Sequence, residues 1–274
     1  MLRLVNEPPP AASARTKRSG RSVRLEAGDM NWDMKTYKGK GIVLHTLKYG
    51  DSSMIVYLLT DVGGRRSYMV QGVRSRSGHG SKLALFQPLF PVVFEGLEST
   101  RMQMHRFKEV QAGFLLRNIP FDLRKSTIAL FMAEVLYRLV RESEPNEALF
   151  DFVWNSVGAL DELTGGVADF HLWFLANLSR FLGFCPGNSY AEGDWFDIRE
   201  GLYTPVQPAH SGYMSQECAR ILGALVGCEV QAAAALGLNR RQRVDFLNAL
   251  LAYFGFHLDT VNAVQSVRIL REVF

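Results

Sequence analysis

The chain has 274 residues, 47% of them apolar and 21% charged, with a formal net charge of +4. That is an ordinary globular composition, long enough for two domains and a sizeable core. No window approaches 18 consecutive apolar residues and no apolar leader opens the chain, so neither a helical membrane span nor a secretory signal is read from it. Cys185, Cys218 and Cys228 are odd in number and far apart, the wrong pattern for a disulfide framework or a zinc site, which predicts a reducing compartment. Charge is unevenly spread: +2 over residues 1–34, +7 over 35–112 and −5 over 113–274. A basic front on an acidic rear predicts a polyanionic partner for the front.

Residues 1–33 read as a tail outside the fold. Pro8-Pro9-Pro10 precedes an Arg- and Ser-containing stretch without apolar periodicity, which cannot bury enough surface to fold. Its acid-poor part faintly resembles an organelle transit peptide; the other reading takes Met34 as the true first residue. From Lys38 to about Val110 the signals are strands and turns. Lys40 to Lys48 alternates, and Ser53 to Thr60 is nearly all apolar, as a strand covered on both sides should be. Asp61-Val62-Gly63-Gly64 is a hairpin turn, after which Arg65 to Gln71 returns as a third strand.

Residues 71–82, Gln71-Gly72-Val73-Arg74-Ser75-Arg76-Ser77-Gly78-His79-Gly80-Ser81-Lys82, carry three fixed positive charges and no acid on a Gly- and Ser-rich segment. Ordering so long a loop costs backbone entropy, and phosphate binding is a reason that fits its residue types. Leu89 to Glu95 and Arg101 to Phe107 complete five strands; in the last, Met102 and Met104 are expected to face inward and Arg101, Gln103 and His105 outward. Five short strands with a long excursion after the third predict a small barrel, best matched by an OB-fold.

After Gly113 the period changes from 2 to 3.6, and an all-α domain is expected over residues 113–274. Ser126 is expected to cap a helix to Glu142 that buries Ile128, Phe131, Val135, Leu136 and Leu139. Asn146 opens a second helix to about Leu163. The third, Ala168 to Phe184, is apolar all round and belongs at the centre of a bundle. Residues 185–210 read as irregular or a small hairpin, followed by helices over Ser215–Val226, Asn239–Leu258 and Ala263–Phe274.

No phosphate-binding glycine loop, paired metal-ligand histidines or nucleophile–base set is spaced for chemistry. His171 and His257 sit in apolar helical surroundings and read as core histidines. No catalytic residue, cofactor or metal is therefore expected. The basic front is different. Lys35, Lys38, Lys40, Arg65, Arg66, Arg74, Arg76, Lys82, Arg101, Arg106 and Lys108 are the candidate phosphate contacts over the barrel, residues 34–112. Tyr37, Tyr49, Tyr68 and Phe86 are interleaved with them; Tyr68, two residues from Arg66 and on its strand face, is the candidate base-stacking side chain.

An ordered set of segments now resembles a known family. Gly41-Ile42-Val43-Leu44-His45, Ser53 to Thr60, Gly63-Gly64-Arg65, Gly72-Val73-Arg74-Ser75 and Leu85-Phe86-Gln87-Pro88-Leu89 run in the order of RecO, the bacterial recombination mediator. Phe181-Leu182-Gly183-Phe184-Cys185-Pro186 and Ser266-Val267-Arg268-Ile269-Leu270 agree as well, so the likeness covers about residues 35–274. The resemblance implies an OB-fold that binds single- and double-stranded DNA, followed by a helical domain. It implies strand annealing, association with RecR and with the acidic tail of single-stranded DNA-binding protein, and, through these, loading of RecA. It further implies a cytoplasmic, nucleoid-associated protein with no membrane partner.

Many members place paired cysteines after the Phe-Leu-Gly-Phe-x-Pro turn, whereas residues 187–210 here contain none, so no structural zinc is expected in a degenerate hairpin near 185–210. Arg180, or Arg240, Arg241 and Arg243, are the candidates for gripping the partner tail's carboxylate. The competing reading is a non-catalytic adaptor whose helical domain carries the function, with only incidental DNA binding.

Overall fold

The computed structural model describes residues 34–71, 83–99, 104–141 and 144–274. The expected tail, most of the basic loop (72–82) and Arg101 lie outside the described residues.

Five strands close into a barrel: β1 (Met34–Tyr49), β2 (Ser53–Thr60), β3 (Gly64–Val70), β4 (Pro91–Ser99) and β5 (His105–Ala112), in the order β1-β2-β3-β5-β4 with β4 returning to β1. Only the β3–β5 pair is parallel. This is the OB-fold. Its closure rests on the 16-residue β1, which pairs with β4 through its first half and with β2 through its second, bending at a bulge between Val43 and His45. Glycine lets neighbouring side chains pack close on the first half of β1: a Cβ on Gly39 would lie 2.9 Å from the Phe94 ring, and one on Gly41 2.9 Å from Leu58. The interior is filled by Val43, Val56, Leu58, Tyr68, Phe86, Val92 and Phe94.

Two strand expectations change. β1 starts at Met34 rather than Lys40, which places Lys35 and Lys38 on a strand. β5 starts four residues later than expected, and its faces are reversed: Phe107 packs inward and His105 bonds to Tyr37, while Arg106 is exposed. The large ring of Phe107, stacked at 4.4 Å on Tyr68, decides that alternation rather than the methionines upstream.

The helical part begins with α1 (Leu123–Leu139), whose cap is Asp122 rather than Ser126. The Asp122 carboxylate accepts from the N–H groups of Arg124 and Lys125, whereas the Ser126 hydroxyl turns back to Leu123 O. Asn146 caps α2 (Glu147–Glu162), as its position predicts. A 3-10 turn at Val167–Asp169 leads into α3 (Phe170–Phe181), in which every residue from Phe170 to Ser179 is buried. It is the central helix its all-round apolarity calls for. Ser215 caps α4 (Gln216–Leu225); α5 (Val230–Ala234), α6 (Arg240–His257) and α7 (Val267–Val273) follow.

Between α3 and α4 lies a three-stranded sheet of β6 (Trp195–Asp197), β7 (Leu202–Thr204) and β8 (Tyr213–Met214), ordered β7-β6-β8. Phe196 is fully buried against Tyr203 and Tyr253. Asn188 bridges both main-chain groups of Tyr203. The Asp197 carboxylate accepts from Arg199 N, Glu200 N and, at 3.0 Å, His210 Nε2.

Barrel and helices share one core: Ile42, Leu44, Leu59 and Leu89 of the barrel pack with α1, α3 and their neighbours. The connection between them is fixed by Asp161 of α2. Its carboxylate accepts from Arg117 N (2.8 Å), Asn118 N (2.9 Å) and Ile119 N (2.8 Å), while Lys125 Nζ donates to its carbonyl at 2.7 Å. Both side chains are buried. Asp161→Ala would leave several main-chain donors without partners, each costing about 1–3 kcal/mol. Urea denaturation should show a loss of about 3 kcal/mol or more, and Asp161→Asn, which keeps one acceptor, a smaller one.

Candidate nucleic-acid interface

The barrel presents two outer faces of different charge. Side chains alternate along each strand, so residues adjacent to those of the interior point outward. On the β1–β4–β5 face, Lys38 stands opposite Glu95, and Glu95 opposite Glu109. Lys108 Nζ lies 3.0 Å from Glu95 Oε1. Cations and carboxylates are mixed there. On the other side the outward residues are Ile55, Tyr57 and Leu59 of β2, Arg65, Ser67 and Met69 of β3, and His45 and Leu47 of the second half of β1; Ile55 and Leu59 are buried, so the others make the surface there. None of these is acidic; Asp51 and Asp61 sit in the flanking turns. The parallel β3–β5 register sets Arg106 beside Met69, adding an exposed cation.

An aromatic cluster borders this second face. The Tyr137 ring, from α1, stacks on His45 at 4.5 Å with 28° between planes and meets Tyr57 edge-on at 5.1 Å. Burial first, and then the charge of Arg138, hold the His45 imidazole below its ordinary value, so the ring is neutral near pH 7. Arg65 lies over Tyr137 at 5.4 Å and donates from Nη1 to the Tyr137 carbonyl at 2.7 Å, satisfying a last-turn carbonyl of α1. One turn earlier on α1, the Glu134 carboxylate accepts from Ser266 N (2.8 Å) and Gln265 N (3.1 Å), fastening the start of α7. Burial raises the Glu134 pKa, but bonds from Ser266 and Gln265 and the charge of Arg138 outweigh it, leaving the group below its ordinary value.

The structure divides the sequence candidates. Lys35 and Lys38 are exposed on the mixed-charge side, and Lys108 is paired there. Lys40 Nζ sits over the Trp154 ring at 5.6 Å, tying β1 to α2. Arg65 is engaged with α1. Arg66 and Tyr68 do share a strand face, but it is the interior one. Arg66 lies over the Tyr37 ring at 5.4 Å. Tyr68 is fully buried and bonded to the Tyr37 hydroxyl at 3.0 Å, so it has no free surface on which a base can stack. Burial pushes its hydroxyl pKa upward. Arg106 alone among the described candidates is an exposed cation beside the acid-free face; Arg74, Arg76, Lys82 and Arg101 lie outside the described residues. No sequence signal marks Tyr137 and Arg138, because the fold alone brings them beside the basic front.

The helical arginines do not converge. Arg243 is largely buried against Asp169 at 3.5 Å and donates to the Leu238 carbonyl. Burial raises the Asp169 pKa, opposed by the Arg243 charge. Arg180 is exposed eleven residues further along the chain than Asp169, roughly 16 Å of helix away. Arg240 bonds to Arg271 O at 3.1 Å, and Arg241 forms an exposed pair with Asp245. His171 is buried, with its pKa lowered to about 3 by desolvation and then by Arg243. Among the described residues, no three His, Cys, Asp or Glu side chains cluster to hold a metal ion, and no helix is long and apolar enough to cross a membrane.

Comparison with known proteins follows the same division. Residues 34–113 match the family model described as "Recombination protein O N terminal", and residues 120–262 match "Recombination protein O C terminal". The chain belongs to the RecO family. It is similar to the DNA repair protein RecO of Bacteroides fragilis, at 38% identity over 239 residues, covering 86% of this chain and 98% of that protein. It also resembles the RecO of Phocaeicola vulgatus (36% over 238 residues, 86% and 98% covered) and of Porphyromonas gingivalis (32% over 240 residues, 86% and 98%). The RecO N-terminal match spans the barrel, and the link held by Asp161 falls between the two matches.

Because the Glu134 pKa is depressed in the folded state, its contribution to stability is complete above the ordinary Glu value and is lost as pH falls through the folded one. Glu134→Gln should therefore cost about 1–2 kcal/mol near neutrality. Paired thermal melts should show that difference steady above about pH 5 and shrinking as the solution is acidified through the Glu range.

Proposed function

We propose that this chain is a non-catalytic, DNA-binding mediator of recombinational repair that holds single strands and anneals complementary ones. The observation that carries the reading is the acid-free outer face of β2 and β3, with Arg106 beside it and the His45–Tyr57–Tyr137 cluster at its border. The names of the relatives, DNA repair proteins, support the same role. Cations positioned along a face neutralise phosphates, release counterions and allow two like-charged strands to approach; aromatic rings accept bases of any sequence. Arg74, Arg76 and Lys82, in the segment that joins β3 to β4, are proposed to add phosphate contacts. Such contacts position a backbone and carry no sequence information.

The chain is further proposed to act with RecR and with the acidic tail of single-stranded DNA-binding protein, allowing RecA to load. Support for partner contacts comes from the link and the start of α1, where Leu115, Phe121 and Leu123 are 70%, 86% and 72% exposed. An adaptor without a DNA role would keep partner binding and lack annealing, so annealing of bare and protein-coated strands separates the two readings.

Polarisation binding of a labelled single strand should weaken steeply with salt. Each lost phosphate contact lowers the salt slope by about 0.7. Arg106→Ala should remove about that much, while Lys108→Ala, on the mixed-charge face, should leave the slope unchanged. Equal effects of the two changes, or flat salt dependence in the unaltered protein, would overturn the assignment.

A further inference from the structure

A cleft of about 740 Å³ lies between β1, α1 and α7. Its barrel wall includes His45 and Phe86; its helical wall includes Leu130, Tyr137 and Arg138 of α1 and Arg268 and Ile269 of α7. We propose that this cleft seats one unstacked nucleotide of a single strand whose neighbours run across the β2–β3 face. The inference rests on the reading of that face given above and goes beyond it, by assigning a second contact made jointly by barrel and helices.

Four observations converge on a nucleotide. The volume falls within the range of small-ligand sites. His45 is an exposed residue whose ring already stacks on Tyr137, so a base entering the cleft meets an existing aromatic stack. Tyr57 and Arg65 of the acid-free face contact the same Tyr137 that lines the cleft, so cleft and face are adjacent. Two guanidinium groups, Arg138 and Arg268, line it, and Arg138 Nε is shielded from solvent without a hydrogen-bond partner. Of the two carboxylates present, Glu134 is engaged by Ser266 N, Gln265 N and Arg138. Glu272, one turn beyond Arg268, would repel a phosphate, which sets the phosphate toward the arginines and leaves Glu272 to accept from a base N–H. An acidic peptide gains from the same arginines but leaves the ring stack unused. Because the base must leave its stack to enter, the cleft favours single strands over duplex.

The test uses the full chain and a short oligothymidylate carrying one 5-iodouracil for photocrosslinking. Peptides containing His45 or Tyr137 should be labelled, and single-strand affinity should fall about tenfold when the cleft is filled by Ile269→Trp. Leu130→Trp fills it from the α1 side and serves if the first variant is unstable; both residues are partly exposed at 42% and 37%. Duplex affinity should be unchanged in both. Labelling that avoids His45 and Tyr137, or single-strand affinity unaffected by either folded variant, overturns the cleft while leaving the barrel face standing. So does loss of an acidic peptide, rather than the oligonucleotide, on filling. Failure of the unaltered chain to bind any strand at low salt overturns both.

Discussion

Everything on the functional side of this molecule depends on how α1 lies against the flank of the barrel. Ile42, Leu44, Leu59 and Leu89 are buried in that contact, each worth about 1.5–3 kcal/mol when fully removed from water. Leu89 is held there in a left-handed conformation, φ 64°, which costs a non-glycine residue about 1–2 kcal/mol. The 2.7 Å bond from Leu89 N to Val43 O and complete burial of the side chain over-determine the strained position. The helical part covers Leu59 on the β2–β3 side and leaves the rest of that side accessible, with Tyr137 of α1 at its border.

Several of the polar groups drawn into this arrangement are answered locally. Tyr68, Tyr37 and His105 form a short chain of hydrogen bonds at one end of the barrel, 3.0 Å at each link. Asp161 closes the link, and Asp169 is buried with Arg243. Breaking one member of such a set costs more than the set contributes, because the remaining partner stays buried. Charge on the β1–β4–β5 face is balanced in place by Glu95 and Glu109. The side free of carboxylates is the opposite one, although the composition of the barrel segment alone is basic throughout.

Much of the fold was legible in the sequence because alternation, capping residues and glycine turns are local signals. β2, the Asn146 and Ser215 caps and the apolar α3 all follow from residues within one turn of themselves. Arg66 and Tyr68 mark where legibility ends. Alternation establishes that they share a face; whether that face is inside depends on Phe94 and Phe107, which arrive from other strands. The pairing of Arg65 with Tyr137, 72 residues away, is likewise beyond any periodic signal. Asp122 took the cap from Ser126 for a local reason: a carboxylate one residue before the helix reaches two main-chain donors at once.

The small sheet after α3 has a consequence of its own. It is fastened by an amide clamp at Asn188, a carboxylate–imidazole contact between Asp197 and His210, and the buried ring of Phe196. Residues 186–214 contain no cysteine. A fastening made of amides, an acid–imidazole pair and an aromatic plug is sensitive to protons. Burial opposes ionisation of Asp197, but bonds from Glu200 N, Arg199 N and His210 hold its carboxyl below the ordinary value. The sheet therefore keeps this fastening near neutrality and loses it as acid protonates Asp197.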